Sequence, residues 1–244
     1  TSYTNITVCD SVVWNGTTYD SSGTYYSSMG SNNNYSMSFD GNNSINMNNF
    51  NLDNTSFSIS IDFKATSGLF GNYTELYRNW NGNNNPSNGY YLRFENGGEL
   101  SFAINNLGIP AQYPAGSNIV FLMSGGNYLD NMWHNATIVY DQINSIAYMY
   151  IDGILATQQY IQVPISSSFN ANDLIIAQNS YNGRLDNFTF WNTALTQQEI
   201  QNYMNCPPTG NEAGLVGYWN FETGTGTTAY DQTSNGNDGT INGA

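Results

Sequence analysis

Basic residues are nearly missing from this chain. Four Lys and Arg stand against 18 Asp and Glu, for a formal net charge of −14 at pH 7. Contacts to phosphate need cations, so the balance argues against nucleic acid and against anionic membrane surfaces as partners. Charged residues of both signs make up only 9% of 244 residues, far below the usual quarter. Asn, Ser, Thr and Gly supply the polar surface instead, a composition that favours turns over helices. Only one histidine, His134, is present. A Ser–His–Asp triad would have to use it, and no nucleophile elbow surrounds any serine. Cys/His metal clusters and Gly-rich phosphate loops are absent. No run of 18 apolar residues is long enough to cross a bilayer, and no leader or lipid anchor is evident. An export signal is therefore expected outside these residues. The two cysteines, Cys9 and Cys206, suit one disulfide closing a very long loop in an extracellular chain, with two buried thiols as the alternative. The acidic excess favours a cation such as Ca²⁺ as a partner, or serves solubility alone.

What is present is apolar and aromatic: 39% hydrophobic residues and 15% Phe, Trp and Tyr. That is enough for a sizeable core, and the length fits one large all-β domain. Ser11–Tyr19 reads as a hairpin with Asn15-Gly16 as its type I′ turn. Phe57 to Phe63 alternates strictly, with Phe57, Ile59, Ile61 and Phe63 on a core face and Ser58, Ser60 and Asp62 on a solvent face or shallow groove. Tyr90–Phe94 with Leu100–Ile104, and Trp133–Tyr140 with Ala147–Ile151, form two further hairpins. Leu174–Ala177, Gly183–Trp191 and Leu215–Phe221 add strands. One helix is predicted, where Thr196-Gln-Gln-Glu199 forms a capping box and Cys206-Pro-Pro208 stops it. The pattern predicts an antiparallel β-sandwich.

Several motifs occur in an order that resembles the bacterial laminin G-like, concanavalin A-like jelly rolls. They are Ser38-Phe-Asp-Gly41, the strand Phe57–Phe63, the hairpin Gly89–Phe102, Trp133-His134 with Tyr150-Ile-Asp-Gly153, and Gly183-Arg-Leu-Asp186 followed by Trp191-Asn192, Ala194-Leu195 and Glu199-Ile200. The resemblance implies a jelly-roll sandwich over residues 31–205, preceded by a hairpin module (1–30) and followed by a strand segment (206–244). It also implies one structural Ca²⁺ held by Asp186 and the Asp40-Gly41 turn. The tail Gly214–Phe221 resembles the segment that precedes the opening strand in this family, so it is expected to complete this sandwich or a neighbouring repeat. Asp231 to Asp238 reads as a turn rather than a calcium loop, because Thr233 stands where Asp or Asn is wanted. Both ends resemble modules of long repetitive surface proteins.

Glucanases related to this fold carry Glu-X-Asp-X-X-Glu on one strand. That motif is absent, and the glutamates are scattered. His134, beside Trp133 on a core strand, reads as structural. Sugars stack on exposed aromatics and bond to Asn, Asp and Gln. Tyr77, Trp80, Tyr90 and Tyr181 are the candidate platforms, with exposure expected for Trp80 and burial for Tyr90. Trp133, Trp191 and Trp219 are expected in the core. The expected function is a non-catalytic adhesion or glycan-binding module, secreted or on a bacterial cell surface, with an extracellular glycan or surface ligand as partner. A structural subunit of an extracellular fibre or array of like copies is the alternative, and a glycoside hydrolase comes third.

Overall fold

A computed structural model of the chain describes residues 12–14, 17–19, 35–47, 55–66, 74–80, 88–106, 118–161, 173–178 and 181–243. In chain order the strands are β1 (Val12–Trp14), β2 (Thr17–Tyr19), β3 (Met37–Asp40), β4 (Ser44–Met47), β5 (Phe57–Thr66), β6 (Thr74–Trp80), β7 (Asn88–Phe94), β8 (Leu100–Asn106) and β9 (Asn118–Met123). Then come β10 (Asp130–Asp141), β11 (Ile146–Ile151), β12 (Ile154–Tyr160), β13 (Leu174–Gln178), β14 (Asn182–Trp191), helix α1 (Gln197–Asn205), β15 (Leu215–Trp219), β16 (Thr228–Ala229) and β17 (Gly239–Asn242). β1 and β2 pair across Asn15-Gly16. The rest form two antiparallel sheets, one ordered β12-β11-β10-β5-β14-β15 with β3 also on β14, the other β16-β17-β4-β13-β6-β7-β8-β9.

Period-two alternation decides which side chains meet between the sheets. Phe57, Ile59, Ile61 and Phe63 of β5 are all buried, as are Ala136, Ile138 and Tyr140 of β10. Facing them from the second sheet are Leu92 and Phe94 of β7, Phe102 and Ile104 of β8, and Leu174 and Ile176 of β13. This is sheet-on-sheet packing, in which both inner faces interdigitate.

A second, smaller core lies on the outer side of the first sheet. There α1 lays Ile200 and Tyr203 against Val139, Tyr150, Trp191 and Leu215. The helix starts where the capping box places it. Thr196 accepts a hydrogen bond from the Glu199 N–H, and the Glu199 carboxylate accepts from the Thr196 N–H. Gln197 and Gln201 donate to the Gly153 carbonyl at 2.9 Å, tying the helix to the β11–β12 turn. Asp152 and Gly153 both have positive φ there (52° and 70°), as a two-residue type I′ hairpin requires. A Cβ on Gly153 would also stand 2.8 Å from Gln201 Cγ. Cys206 is the half-buried C-cap residue of α1, while its expected disulfide partner Cys9 lies outside the described residues.

The tail folds into this same sandwich. β15 pairs with β14, setting Trp219 opposite Phe188, and β17 pairs with β4 in the second sheet. Trp219 is fully buried, and its Nε1–H donates to the Asn237 carbonyl at 3.1 Å. Asp231 organises the return. It accepts from the N–H groups of Tyr218, Thr233 and Asn237 and from the Thr233 hydroxyl. Those donors engage both of its oxygens, so the segment is a hydrogen-bonded turn. Replacing Trp219 by Ala should cost about 3–5 kcal/mol, the usual range for a buried aromatic. Deleting residues 214–244 should abolish cooperative unfolding in denaturant. A truncated chain with an unchanged midpoint would contradict this role for the tail.

Candidate functional site

Three adjacent strands, β10, β5 and β14, present their outward side chains in register. Trp133 pairs with Lys64 and Lys64 with Arg184. The next outward positions are Asn135, Asp62 and Asp186, then Thr137, Ser60 and Thr189, then Val139, Ser58 and Trp191. Helix α1 covers the last row. The face therefore grades from an apolar, helix-covered end to a charged, open end where Trp133 is 44% exposed and Arg184 is also exposed.

The middle rows form one hydrogen-bonded net. Asp62 Oδ1 accepts from the Asn135 amide at 2.7 Å, and Oδ2 from the Asn187 amide at 3.0 Å. Asn135 also donates to Ser60 Oγ, and the Thr137 hydroxyl lies 2.8 Å from both Ser60 Oγ and Asn135 Oδ1. The Tyr218 hydroxyl donates to Asn187 Oδ1 at 2.9 Å, and Trp191 Nε1–H donates to Thr189 Oγ1. Asn187 can reach Asp62 because β14 breaks register between Asp186 and Thr189 and Asn187 adopts φ 45°. Bulges commonly re-aim a side chain in this way. Burial raises the Asp62 pKa, the two amides oppose the rise, and the Asp152 charge adds to it. Burial also raises the Tyr218 pKa, reinforced by the Asp186 and Asp62 carboxylates.

Asp62 and Asp186 are cross-strand partners, and a carboxylate pair is what a glycosidase uses. Both Asp62 oxygens are occupied by amides, however. The crevice between this net and α1, lined by Asp62, Asn135, Asn187, Trp191 and Pro208, measures about 30 Å³. That is room for a water or two and not for a sugar ring. A ligand would have to lie across the open rows.

The open end is shaped by a clamp around His134. The register of β10 on β5 shifts between Asp130 and Trp133, and Asn131 takes φ 64°. Asp130 Oδ1 accepts the Met132 N–H at 2.8 Å. His134 Nδ1 lies 2.8 Å from Asp152 Oδ2, and Nε2 lies 3.2 Å from Asp130 Oδ1. Asp152 Oδ1 accepts the Asn135 N–H. The Trp-His and Tyr-X-Asp-Gly motifs are thus one device, which ties β10 to the β11–β12 turn and leaves Trp133 at the surface. Partial burial disfavours the imidazolium, but the Asp152 and Asp130 carboxylates outweigh it and hold the His134 pKa above its ordinary value.

The residues expected from the sequence to bind ligand lie elsewhere. Tyr77 and Tyr181 are fully buried, so neither offers a face to a sugar. Both belong to the core because their positions on β6 and before β14 point between the sheets. Tyr90 is buried. Trp80 ends β6 opposite Gly89, and its side chain lies outside the described residues. Trp133, expected in the core, is exposed because its strand parity is that of Asn135 and Thr137, not of Ala136 and Ile138.

The calcium set also separates. Asp40 pairs with Asn182, four residues along β14 from Asp186, or roughly 13 Å at strand rise. Ca²⁺ ligands stand about 2.3–2.6 Å from the ion, so Asp186 and the Asp40-Gly41 turn cannot share one. Asp40 Oδ1 instead accepts the Asn42 N–H and closes its own turn, while Asp186 Oδ1 accepts the Asn187 N–H. Among the described residues no cluster of three or more His, Cys, Asp or Glu could hold a metal.

Lys64, Arg184, Asn135 and Asn187 escaped the sequence reading. For Lys64, Arg184 and Asn135 the signal available is parity, since every second residue faces out with Ser60 and Asp62 once Phe57 to Phe63 is assigned inward; Asn187 breaks that parity and reaches Asp62 only through the bulge.

The chain belongs to the concanavalin A-like lectin/glucanase superfamily, whose laminin G-type family model matches residues 39–201. No curated protein matches it by sequence. Among solved structures it is similar to a candidate carbohydrate binding protein from Bacteroides ovatus, with TM-score 0.62 and 15% identity over 83% of this chain. The match spans 56% of that protein's length. It is also similar to the CBM40 of a Ruminococcus gnavus IT-sialidase bound to α2,3 sialyllactose, with TM-score 0.52 and 11% identity over 68% of this chain and 94% of that one. The binding domain of Paraclostridial Mosquitocidal Protein 1 gives TM-score 0.52 and 17% identity, covering 68% of this chain and 44% of that one. At these identities the likeness is one of fold.

The His134 clamp has a pH signature. Its folded pKa lies above the ordinary 6.5, so its contribution is fully present below that value and is lost as pH rises through the folded pKa. The stability difference between the wild type and His134→Gln should be largest in mild acid and shrink above neutrality. Denaturant titrations from about pH 5 to pH 9 read it. A pH-independent difference would contradict the clamp.

Proposed function

We propose that this chain is a non-catalytic glycan-binding module that uses the outer face of β10, β5 and β14, within a secreted or surface-borne protein that adheres to its ligand. One observation carries the reading. Trp133 is solvent-exposed at the open end of the sheet face, in one cross-strand row with half-buried Lys64 and exposed Arg184, the pairing of apolar ring and hydrogen-bonding side chains that sugars need. Of the three tryptophans whose side chains are described, the other two, Trp191 and Trp219, are buried. Membership of a lectin and glucanase superfamily supports the reading, as do fold neighbours described as binding carbohydrate. Occupied Asp62 oxygens and a water-sized crevice support a role in binding rather than turnover.

A fibre or array subunit remains a second reading, and one feature favours it. β12 is a sheet-edge strand that exposes Ile154, Leu155 and Tyr160, and such edges invite pairing between copies. Concentration-dependent assembly of the isolated chain would support it.

Trp133→Ala should weaken binding to immobilised glycans roughly tenfold, the value of one aromatic stacking contact. Its melting temperature should barely move, since the site is exposed. Unchanged affinity would remove Trp133 from the account. Release of reducing sugar from a polysaccharide panel would overturn the non-catalytic assignment.

A further inference from the structure

The chain has four basic residues, and they fall into two groups. Arg78 and Arg93 lie in the second sheet, each beside a carboxylate. Arg78 Nε is 3.5 Å from Glu75 Oε2, and Arg93 Nε is 2.8 Å from Glu95 Oε1. Arg93 also stacks over Tyr91 at 4.3 Å. Burial pushes the Glu75 pKa up to about 7, against the pull of Arg78 and Arg93. Lys64 and Arg184 are arranged differently. They are cross-strand partners on the outer face of β5 and β14, and among the described residues neither takes part in an ion pair.

Like charges directly opposite on neighbouring strands repel. In a chain of net charge −14 there is no shortage of anions that could separate or neutralise them. The carboxylates two positions along β5 and β14 are engaged elsewhere, and so is Asp130, opposite Thr66, whose Oδ1 lies 3.2 Å from His134 Nε2. Asp62 receives the Asn135 and Asn187 amides, and Asp186 receives the Asn187 N–H. The third member of the row is exposed Trp133, paired with Lys64. Neighbours in such a row stand about 5 Å apart, so a ring stacked on Trp133 would hold its substituents over Lys64 and then Arg184.

We propose that the Trp133–Lys64–Arg184 row binds an acidic saccharide. Trp133 stacks on the sugar ring, while Lys64 and Arg184 grip its carboxylate or sulfate. This rests on the glycan-binding reading and narrows it. Arg184 presents a planar fork suited to either anion, and Lys64 adds a point charge. The Asn135–Asp62–Asp186 row behind it carries two carboxylates already engaged within the protein, so it repels a second anion.

The test uses the full chain against dextran, dextran sulfate and polygalacturonate, plus a panel of neutral oligosaccharides, with affinity measured at low and high salt. The expected result is preference for a sulfated or carboxylated polymer over dextran, weakened by salt. Lys64→Gln and Arg184→Gln should each lose about tenfold or more, as charge-assisted hydrogen bonds imply. Arg184→Lys should recover part of that loss. The melting temperatures of the ligand-free variants should not fall, because removing either cation relieves the like-charged pair; a clear fall would make the row structural. Acidic polymers bound equally well by the Gln variants, or not bound at all, would overturn the proposal. Binding of neutral sugars that depends on Trp133, without acidic preference, would leave the glycan-binding reading standing and remove this one. Binding of nothing in either set would remove both.

Discussion

Period-two alternation in β5 is the constraint on which the rest depends. Its inward residues, Phe57 to Phe63, anchor the core between the sheets. The same pleat forces Ser58, Ser60, Asp62 and Lys64 outward. Because β10 and β14 pair with it, their outward residues are sorted by the same rule on either side of the bulges after Asp130 and Asp186. One-residue slippage of either neighbour would bury polar side chains and expose the core. The site is thus a by-product of the register that builds the sandwich.

Each end of that face is then finished by a local device. At the covered end the capping box starts α1, and the helix seals Trp191 and Tyr150 from water. In the middle, the bulge after Asp186 turns Asn187 toward Asp62 and fills its second oxygen. At the open end the two carboxylates around His134 hold the start of β10. These polar groups satisfy one another, which is what makes a partly buried net tolerable. The tail closes the frame by pairing with both sheets.

Much of this was legible beforehand. Strict alternation in Phe57–Phe63, the two hairpins and the Thr196 capping box all appear where local signals place them, because each signal is short-range. Leu215–Phe221 read as a strand too apolar for water, but its partner is set by long-range pairing with β14. The candidate face is far less legible, for the same reason. Tyr77, Trp80 and Tyr181 have loop-like neighbours in the sequence, whereas Tyr77 and Tyr181 turn inward. Trp133 sits on an apolar strand that suggests the core, although its parity faces it out. Asp40 and Asp186 looked like one calcium set until the register set them roughly four residues apart. Lys64 and Arg184 are 120 positions apart in the chain, and only strand pairing brings them together.

The central claim is that ligand meets the Trp133 end of this face. Indole Nε1–H signals in a nitrogen-15 spectrum report on it directly, because each tryptophan gives its own peak. Titration with a bound glycan should shift the Trp133 signal and leave those of buried Trp191 and Trp219 in place. A shift confined to Trp80, on the second sheet, with Trp133 unmoved, would contradict the account.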